Sequence, residues 1–413
     1  MVVRWKQLLR RYLPGIISGG ADNDPSGIVT YSLSGALFGY HQLWLLLLST
    51  PMLIAVQAMC ARLGYVTKKG LMTLIKERYA PIFAWISLCI LVVVNIATIA
   101  ADLAAISESI GLIINVSYIY LVVPIALALW LLVVFKNYKT IEKFLFFLTF
   151  VFLSYVVSGF LARPDWSEVA RALVFPKIQL DPSYLMAGLG LLGTTITPFL
   201  FFWQAKQEIE ERRSVLVESQ SVREDTRVAP GFIYSNIISF FIIVATAAVF
   251  HTHGIKGIET ASDAARALEP FAGVYAKYLF AIGIIGAGLL AVPVLAASTG
   301  YVVAELFGWR DSLSDSPKKA RGFYMILTIS FLFGIGIVFS GIHPVDALLY
   351  SQVLGGILAP ILILLILFLC NDKKVMGTYV NGWFDNIFGF LSVVLMSLGA
   401  VALLWQVVTT SLF

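Results

Sequence analysis

The sequence predicts an all-α polytopic membrane protein, and three observations support this fold class. Of the 413 residues, 59% are hydrophobic and 13% are charged, and the mean hydropathy is +0.88, which excludes a soluble globular protein. The apolar residues form runs of about 20, the length that a helix needs to cross a hydrocarbon core of roughly 30 Å. Two of these runs, five apart, are interrupted by proline and polar residues, which is typical of a 5+5 inverted repeat with broken helices 1 and 6.

Eleven membrane spans are expected from these runs. In chain order they cover about 14–38, 42–63, 81–114, 118–135, 143–162, 184–205, 230–251, 271–306, 322–341, 346–370 and 384–410. The chain 1–413 is then a single transmembrane domain. A unit of five spans reverses direction when it is repeated, so repeat one covers about 14–162, repeat two about 184–370, and the extra span about 384–410.

The charge distribution predicts the orientation. With the N-terminus inside, only six of the 29 Lys and Arg residues fall on or near the external side: Arg163, Arg171, Lys177, Lys256, Arg266 and Lys277. The positive-inside rule therefore predicts an N-in, C-out protein, and we expect it in the cytoplasmic (inner) membrane. The same bias accounts for the net charge of +5, so the lipid bilayer is an expected partner and nucleic acid is not.

The cysteines and histidines predict no site of their own. Cys60, Cys89 and Cys370 lie in apolar runs without metal-ligand spacing, so they are interpreted as packing residues and no disulfide framework is predicted. The histidines fall in external loops or at span ends, which leaves no buried histidine for a proton relay: His41, His251, His253 and His343.

The first span is broken at residues 21–27, Ala-Asp-Asn-Asp-Pro-Ser-Gly. Pro25 lacks an N–H and Gly27 tolerates almost any backbone angle, so the helix is expected to unwind there, near the membrane midplane. An ionised Asp at that depth costs on the order of 3 kcal/mol and needs water, a partner or a bound cation. Asp24 is interpreted as a cation ligand in preference to a simple helix cap, whereas Asp22 is left between an access-path role and a pairing role.

The sixth span breaks in the same way at residues 193–198, Gly-Thr-Thr-Ile-Thr-Pro. In a continuous helix the Thr194 carbonyl would accept a hydrogen bond from the N–H four residues later. Pro198 stands at that position and has no N–H, so the carbonyl oxygen is left to coordinate a cation. The hydroxyls of Thr194, Thr195 and Thr197 can instead bond to the preceding turn, which is the commoner role of threonine in membrane helices.

Further polar residues lie within or beside apolar spans. In the third span, Asp102 and Glu108 are candidates for an access path or a proton route, but they are six positions apart on different helix faces and need not act together. Gln352 in the tenth span is a candidate to offer its amide to the same cavity. Residues 204–227 are expected to be a solvated extension of the sixth helix, and Glu305 is expected to be interfacial.

The two breaks carry a family resemblance. Residues 24–27, Asp-Pro-Ser-Gly, resemble the Asp-Pro-Gly-Asn motif of the Nramp family of divalent metal transporters, and residues 194–199 resemble that family's Ala-x-x-Met-Pro-His motif. The resemblance covers nearly the whole chain and implies a LeuT-type fold in which the broken helices bind the metal. It implies that Asp24 supplies the ligand carboxylate, that Thr194 supplies its carbonyl, and that Gln352 matches a polar position of helix ten.

The departures from these motifs indicate a hard cation. Where the family has an asparagine and a methionine ligand, this chain has Gly27 and Thr197. Loss of the thioether favours Mg²⁺ and Mn²⁺ over softer metals, and a roomier oxygen site suits hydrated Mg²⁺. Ala105, Phe199 and Gln204 stand where the family has an acidic residue and two histidines of its proton route, as in the Nramp-related magnesium transporters. Proton coupling is therefore expected to be absent.

The predicted function is transport of a hydrated divalent cation, Mg²⁺ with Mn²⁺ as a second substrate, by a monomer that is not an enzyme and needs no cofactor. The alternative is an ordinary proton-coupled Mn²⁺ or Fe²⁺ symporter, with Asp102 or Glu108 carrying the proton. Two other classes are disfavoured. Asp22 and Asp24 would repel the carboxylate of an amino-acid substrate, and two residues of one segment cannot easily form the facing dyad of an intramembrane aspartyl protease.

Overall fold

The computed structural model describes residues 19–135, 152–214, 228–254, 265, 273–313 and 315–412, and the regular structure of these residues is helical. Fifteen α-helices are found in this part of the chain: α1 Pro25–Phe38, α2 Leu43–Thr67, α3 Leu71–Arg78, α4 Pro81–Ile114, α5 Val122–Phe135, α6 Leu153–Leu161, α7 Trp166–Val174, α8 Pro182–Thr195, α9 Pro198–Ser214, α10 Ala229–Val249, α11 Ala276–Phe307, α12 Arg321–Val338, α13 Pro344–Asn371, α14 Lys373–Met376 and α15 Trp383–Leu412.

Nine helical segments of the described residues are long and apolar enough to cross a membrane. One of them, Pro182–Glu210, contains α8 and most of α9, so the second broken helix counts as one span. The predicted spans 14–38 and 143–162 extend outside the described residues. The all-helical membrane architecture is therefore confirmed, while the count of eleven, the repeat boundaries and the orientation stay predictions.

The break in the first span lies where the sequence predicts it. Residues 19–22 are helical, the helix is interrupted at Asn23 and Asp24, and α1 begins at Pro25. Proline suits this first helical position because the N–H that it lacks would have no partner within the helix. Asp24 is the N-cap residue, and its Oδ1 accepts a hydrogen bond from the Gly27 N–H at 2.5 Å.

The break in the sixth span separates α8 from α9 by two residues, Ile196 and Thr197. Pro198 starts α9 and cannot donate a backbone hydrogen bond into α8. Helix α8 ends here because its next backbone hydrogen bond is missing. Gly193 lies where α8 crosses α13, because a Cβ atom at this position would be 2.0 Å from the Gln352 carbonyl oxygen. A glycine is therefore required for this close approach of the two helices.

The two breaks face each other inside the helical bundle. Helix α1 packs against α8, α10 and α13, and α4 packs against α11, α12 and α13. Helix α15 covers the outer side of α2, α8 and α13. This arrangement buries Asp24, Thr194 and Gln352 at the centre of the bundle, although each carries a polar side chain.

One expectation about the surface is wrong. Helix α9 does extend the sixth span, but its first polar residues, Gln204, Lys206 and Gln207, are buried rather than solvated. Residues 215–227 of the expected extension lie outside the described residues. Glu305, which is expected to be interfacial, is buried within the protein at 9% exposure. The reason is tertiary, because α9 packs against α2 and α11 and Lys206 forms an ion pair with Glu305.

Candidate metal site

Asp24 connects α1 with α13 at the first break. Its Oδ1 caps α1 through the Gly27 N–H at 2.5 Å, and its Oδ2 accepts a hydrogen bond from the Gln352 amide of α13 at 3.3 Å. The side chain is 2% exposed. One oxygen of this buried carboxylate therefore caps α1, and the other contacts α13. A helix cap does not occupy the whole side chain.

Gly27 lets the two broken helices touch. A Cβ atom at this position would lie 2.5 Å from Thr194 Oγ1 of α8 and 3.0 Å from Asp24 Oδ1. The Thr194 hydroxyl thus occupies the space into which a side chain at position 27 would grow. It is buried and forms no hydrogen bond within the described residues, so it stands beside Asp24 as an unsatisfied oxygen.

The remaining predicted ligands, Gln352 and Thr197, are both buried. Gln352 reaches Asp24 directly, as stated above. Thr197 is buried in the two-residue interruption between α8 and α9. Thr195 differs from its neighbours, because its hydroxyl donates to the Leu191 carbonyl at 2.8 Å and also bonds the Tyr31 hydroxyl at 3.0 Å. It is the threonine of the three with the structural role expected from helix geometry.

Asp102 of α4 binds the first turn of α1. Its Oδ1 accepts from the Ser26 hydroxyl at 2.7 Å and from the Ser26 N–H at 3.2 Å. Its Oδ2 has no hydrogen-bond partner in the described part of the chain. The structure therefore brings Asp102 to the broken segment that holds Asp24. Glu108 is half-buried on the same helix, about 9 Å further along its axis at 1.5 Å per residue.

Asp22 pairs with α10 rather than with the other carboxylates. Its Oδ2 accepts from the Ser235 hydroxyl at 2.7 Å, while its Oδ1 is buried without a partner among the described residues. Asn23 donates to the Ser235 hydroxyl at 3.0 Å and accepts from the Ser239 hydroxyl at 3.2 Å. The unwound segment is thus fastened to α10 by side-chain hydrogen bonds.

Sequence reasoning missed four of these residues. Asn23 lies inside the polar stretch of the first break, between two aspartates whose charge made them the stronger candidates. Ser235 and Ser239 are four positions apart and so lie on one helix face, and this spacing could have indicated a polar stripe facing the break. Tyr31 is four positions after Gly27, which places it on the same face of α1.

The donor atoms gathered at the two breaks are oxygens of carboxylate, hydroxyl and amide groups. Within the described residues there is no group of three or more His, Cys, Asp or Glu side chains arranged to hold a metal ion. An ion between the breaks would find few charged ligands and would complete its shell with carbonyl oxygens and water. Such a shell is typical of hard cations.

Relatives in sequence resemble the chain over nearly its full length. A protein of Caldanaerobacter subterraneus subsp. tengcongensis described as the divalent metal cation transporter MntH is 28% identical over 411 residues, covering 94% of this chain and 91% of that protein. A protein of the same description from Ralstonia nicotianae is 29% identical over 433 residues, covering 98% of this chain and 92% of that protein.

Solved structures show the same fold. The Eremococcus coleocola manganese transporter, crystallised with an aromatic bis-isothiourea substituted compound, matches with a TM-score of 0.79 at 22% identity, over 97% of this chain and 87% of that one. Mhp1, a nucleobase-cation-symport-1 family transporter, matches with a TM-score of 0.61 at 15% identity, over 96% and 90%. The predicted LeuT-type fold class is therefore confirmed by its neighbours.

The family assignment rests on a match to nearly the whole sequence. The model of the family described as Nramp, natural resistance-associated macrophage protein-like, matches residues 15–406. This range includes both broken helices and every residue placed at the candidate site. The chain therefore belongs to the Nramp family, as the motifs at its two breaks indicate.

Proposed function

We propose that this protein transports hydrated hard divalent cations, Mg²⁺ first and Mn²⁺ second, without a coupled proton. Its membership of a family of metal transporters supports transport and argues against an enzyme. Two relatives named as divalent metal cation transporters and a structural neighbour named as a manganese transporter support a divalent metal as the substrate.

The observation that carries the choice of a hard cation is the pairing of Gly27 with Thr194. The Thr194 hydroxyl lies where a side chain at position 27 would begin, so an alcohol oxygen faces Asp24 across the gap between the two breaks. Hydroxyl, carboxylate and carbonyl oxygens suit Mg²⁺ and Mn²⁺. Mg²⁺ gives up its water reluctantly and is commonly held by one or two carboxylates with several waters retained.

We assign the proposed ligands as follows. Asp24 supplies the negative charge through Oδ2, and Gln352 positions that oxygen by its amide hydrogen bond. Thr194 supplies its hydroxyl and the carbonyl that Pro198 leaves without a donor. Thr197 supplies an oxygen from the interruption, and Gly27 provides the room between the helices.

The proposed cycle is alternating access at a site near the membrane midplane, in an eleven-span, N-in, C-out monomer of the cytoplasmic membrane. Movement of the two broken helices would open the site to one side and then to the other. The membrane potential alone would drive entry, because a dication gains about 4.6 kcal/mol per 100 mV.

A proton-coupled Mn²⁺ or Fe²⁺ symporter is the second candidate, and Asp102 is the observation that favours it. This buried carboxylate contacts the first turn of α1 and keeps Oδ2 without a partner in the described residues. A carboxylate so placed could take up a proton when the broken helix moves. Glu108 is the other candidate for that proton.

Uptake into proteoliposomes tests the proposal. Mg²⁺ and Mn²⁺ entry would be followed with an internal metal dye and a pH dye, in the wild type and in Asp24→Ala. The matched control is Asp346→Ala, because Asp346 is an exposed carboxylate in the first turn of α13. We expect both ions to enter without acidification, with Asp24→Ala inactive and Asp346→Ala active.

Two outcomes would contradict the proposal. If Mg²⁺ is excluded and Mn²⁺ enters together with protons, the symporter candidate replaces it. If Asp24→Ala transports as well as Asp346→Ala, the site between the breaks is not the transport site.

A further inference from the structure

A second cluster of buried charges lies beyond the candidate metal site, at the middle of α9. The Lys206 ammonium is 3.5 Å from Glu305 Oε1 of α11 and also donates to Asp311 Oδ2, which follows α11. It lies 5.2 Å from the centre of the Tyr301 ring. Lysine is rarely buried unless it is paired, and here it is 5% exposed.

The same glutamate holds the short helix α3. Gly70 is the N-cap residue of α3 and has no side chain to cap it. Glu305 supplies the missing acceptor from α11, since its Oε2 takes the Thr73 N–H at 3.2 Å. A Cβ atom at Gly70 would lie 1.6 Å from Glu305 Oε1, so the glycine is needed to admit the carboxylate. A negative charge at this helix end is also favoured by the helix dipole.

A further hydrogen bond ties α3 to the end of α11. The Lys76 ammonium donates to the Leu306 carbonyl at 2.7 Å. Gly308 then ends α11 in the left-handed conformation, and the Trp309 N–H returns to the Ala304 carbonyl at 2.8 Å. This reversal of the chain is the one expected of a glycine after a helix, and it brings the following segment, with Asp311, back to Lys206.

The cluster contacts α9 well away from the break, where a tilt of the helix would displace it. Lys206 is eight residues after Pro198, which is about 12 Å along α9. Because the helical hydrogen bonds are interrupted at Ile196 and Thr197, α9 can tilt relative to α8 without breaking a continuous helix. Side-chain contacts along α9 therefore decide whether it stays against α2, α3 and α11.

We propose that Lys206, Glu305 and Asp311 form a latch that fastens α9 to α11 and α3, and that the latch opens and closes during transport. Lys206 is then a positioning residue, because it acts through α9 on the site and lies too far away to touch the ion. The latch rests on the proposed transport function, but its opening can be measured without any transport. Two carboxylates against one ammonium leave a net negative charge, which the N-terminus of α3 offsets while the latch is closed.

The latch can be tested by cysteine accessibility. Ala205 precedes Lys206, is fully buried, and has its carbonyl against Gly64 of α2. Ala205→Cys would be introduced into a background without the three native cysteines, Cys60, Cys89 and Cys370. Its rate of reaction with a membrane-impermeant thiol reagent, present on both sides of proteoliposomes, reports whether α9 lifts from α2.

Three latch variants and one control would be compared in this background. Lys206→Met keeps most of the apolar stem and removes the charge, whereas Lys206→Arg keeps the charge. Lys206→Met combined with Glu305→Gln removes both charges but keeps an acceptor for the Thr73 N–H. The control is Lys69→Met, which removes an exposed ion pair with Glu77 at the same end of the molecule.

We expect Lys206→Met to raise the labelling rate about fivefold or more, the lower range of typical coupling between two states, and to lower the maximal Mn²⁺ uptake rate. Lys206→Arg and Lys69→Met should resemble the parent. The double variant should regain thermal stability, because Glu305 no longer carries a buried unpaired charge and the Asp311 side chain is partly exposed, at 17%. It should still label fast.

Other results would overturn the latch. Parental labelling of Lys206→Met would show that the cluster does not hold α9. Return of the double variant to parental labelling would show that the cluster serves only stability. If labelling changes as expected while neither the parent nor any variant transports Mg²⁺ or Mn²⁺, the cluster does hold α9, but its opening during transport and the proposed transport function both fail.

Discussion

At the scale of single residues, Asp24 combines two roles that a substitution can separate. Its Oδ1 caps α1, and its Oδ2 is the oxygen that Gln352 holds. Asparagine caps a helix about as well as aspartate, but it carries no charge. The cap explains why a carboxylate is tolerated at this depth, and the charge explains why it would attract a cation.

Asp24→Asn should therefore keep the fold and lose transport. We expect thermal unfolding in detergent close to that of the wild type, and Mn²⁺ uptake reduced at least roughly tenfold, a loss of about 1.4 kcal/mol in binding. Asp24→Ala should lose transport and, because the helix cap is also removed, about 1 kcal/mol of stability. Full uptake by Asp24→Asn would mean that the carboxylate serves only as a cap.

Because Gly27 and Thr194 are in contact, the effects of substitutions at these two positions on stability should depend on each other. Gly27→Ala places a Cβ atom 2.5 Å from Thr194 Oγ1, and overpacking of this kind costs about 1–3 kcal/mol. We expect Thr194→Ala to relieve this cost, so that the double variant is more stable than Gly27→Ala alone. Thermal unfolding of the four proteins measures the coupling, and strictly additive effects would contradict the contact.

Thr194 is also a proposed metal ligand, and a substitution can test that role separately from the shape of the side chain. Thr194→Val keeps the branched shape and removes the hydroxyl, so packing should change little. We expect the KM for Mg²⁺ to rise more than the KM for Mn²⁺, because Mg²⁺ depends more on hard oxygen ligands. Thr194→Ser, which keeps the hydroxyl, should resemble the wild type. Equal uptake by Thr194→Val would assign this residue to packing alone.

At the scale of helices, the break of the first span is held as a unit against α10. Ser235 donates to Asp22 and accepts from Asn23, and Ser239 donates to Asn23. Two hydroxyls of one helix face therefore fix the last helical residue before the break and the first residue of the break. A break without such partners would expose polar groups to an apolar interior. The hydrogen bonds therefore set the position from which α1 starts.

Ser235→Ala removes a single hydroxyl group but should disturb the break strongly. Asp22 would lose the hydroxyl that binds Oδ2, and a buried polar group left without its partner costs about 1–3 kcal/mol, more for a charged one. We expect lower thermal stability and slower uptake. Ser392→Ala is the matched control, because the Ser392 hydroxyl bonds the Phe388 carbonyl of its own helix. Equal effects of the two variants would show that Ser235 has no special role.

At the scale of the whole molecule, the arrangement places charge at the centre and at one edge of an apolar bundle. Asp24 and Asp102 are buried at the first break, while the ion pair of Lys206 with Glu305 is buried at the middle of α9. Another buried pair, Arg62 with Asp385 at 2.7 Å, fastens α2 to α15. Buried pairs of this kind hold helices in register where apolar contacts alone would let them slide.

Uncoupled entry of a dication predicts a steep dependence on membrane potential. In proteoliposomes with an imposed inside-negative potential, accumulation of Mg²⁺ should rise about tenfold for every 30 mV, from about 4.6 kcal/mol per 100 mV. A pH gradient alone should drive no uptake. Uptake that follows the pH gradient at zero potential would assign coupling to Asp102 or Glu108.

The class of the molecule and the positions of its two helix breaks follow from the amino-acid sequence alone. Apolar runs of spanning length dictate membrane helices, because backbone groups in lipid must be satisfied within the segment. Pro25 and Pro198 dictate where two of those helices stop, because neither can donate a backbone hydrogen bond. These are local effects of composition and covalent structure, so they can be read without knowing which helices are neighbours.

Which polar groups meet depends on how the helices pack in three dimensions. The contact of Asp24 with Gln352 spans more than three hundred residues, and the contact of Gly27 with Thr194 depends on how closely two helices cross. Lys206 and Glu305 are ordinary surface residues by composition and became a buried pair because α9 lies against α11. Burial and partner choice are properties of packing between distant segments, and the energy of a polar group depends on both.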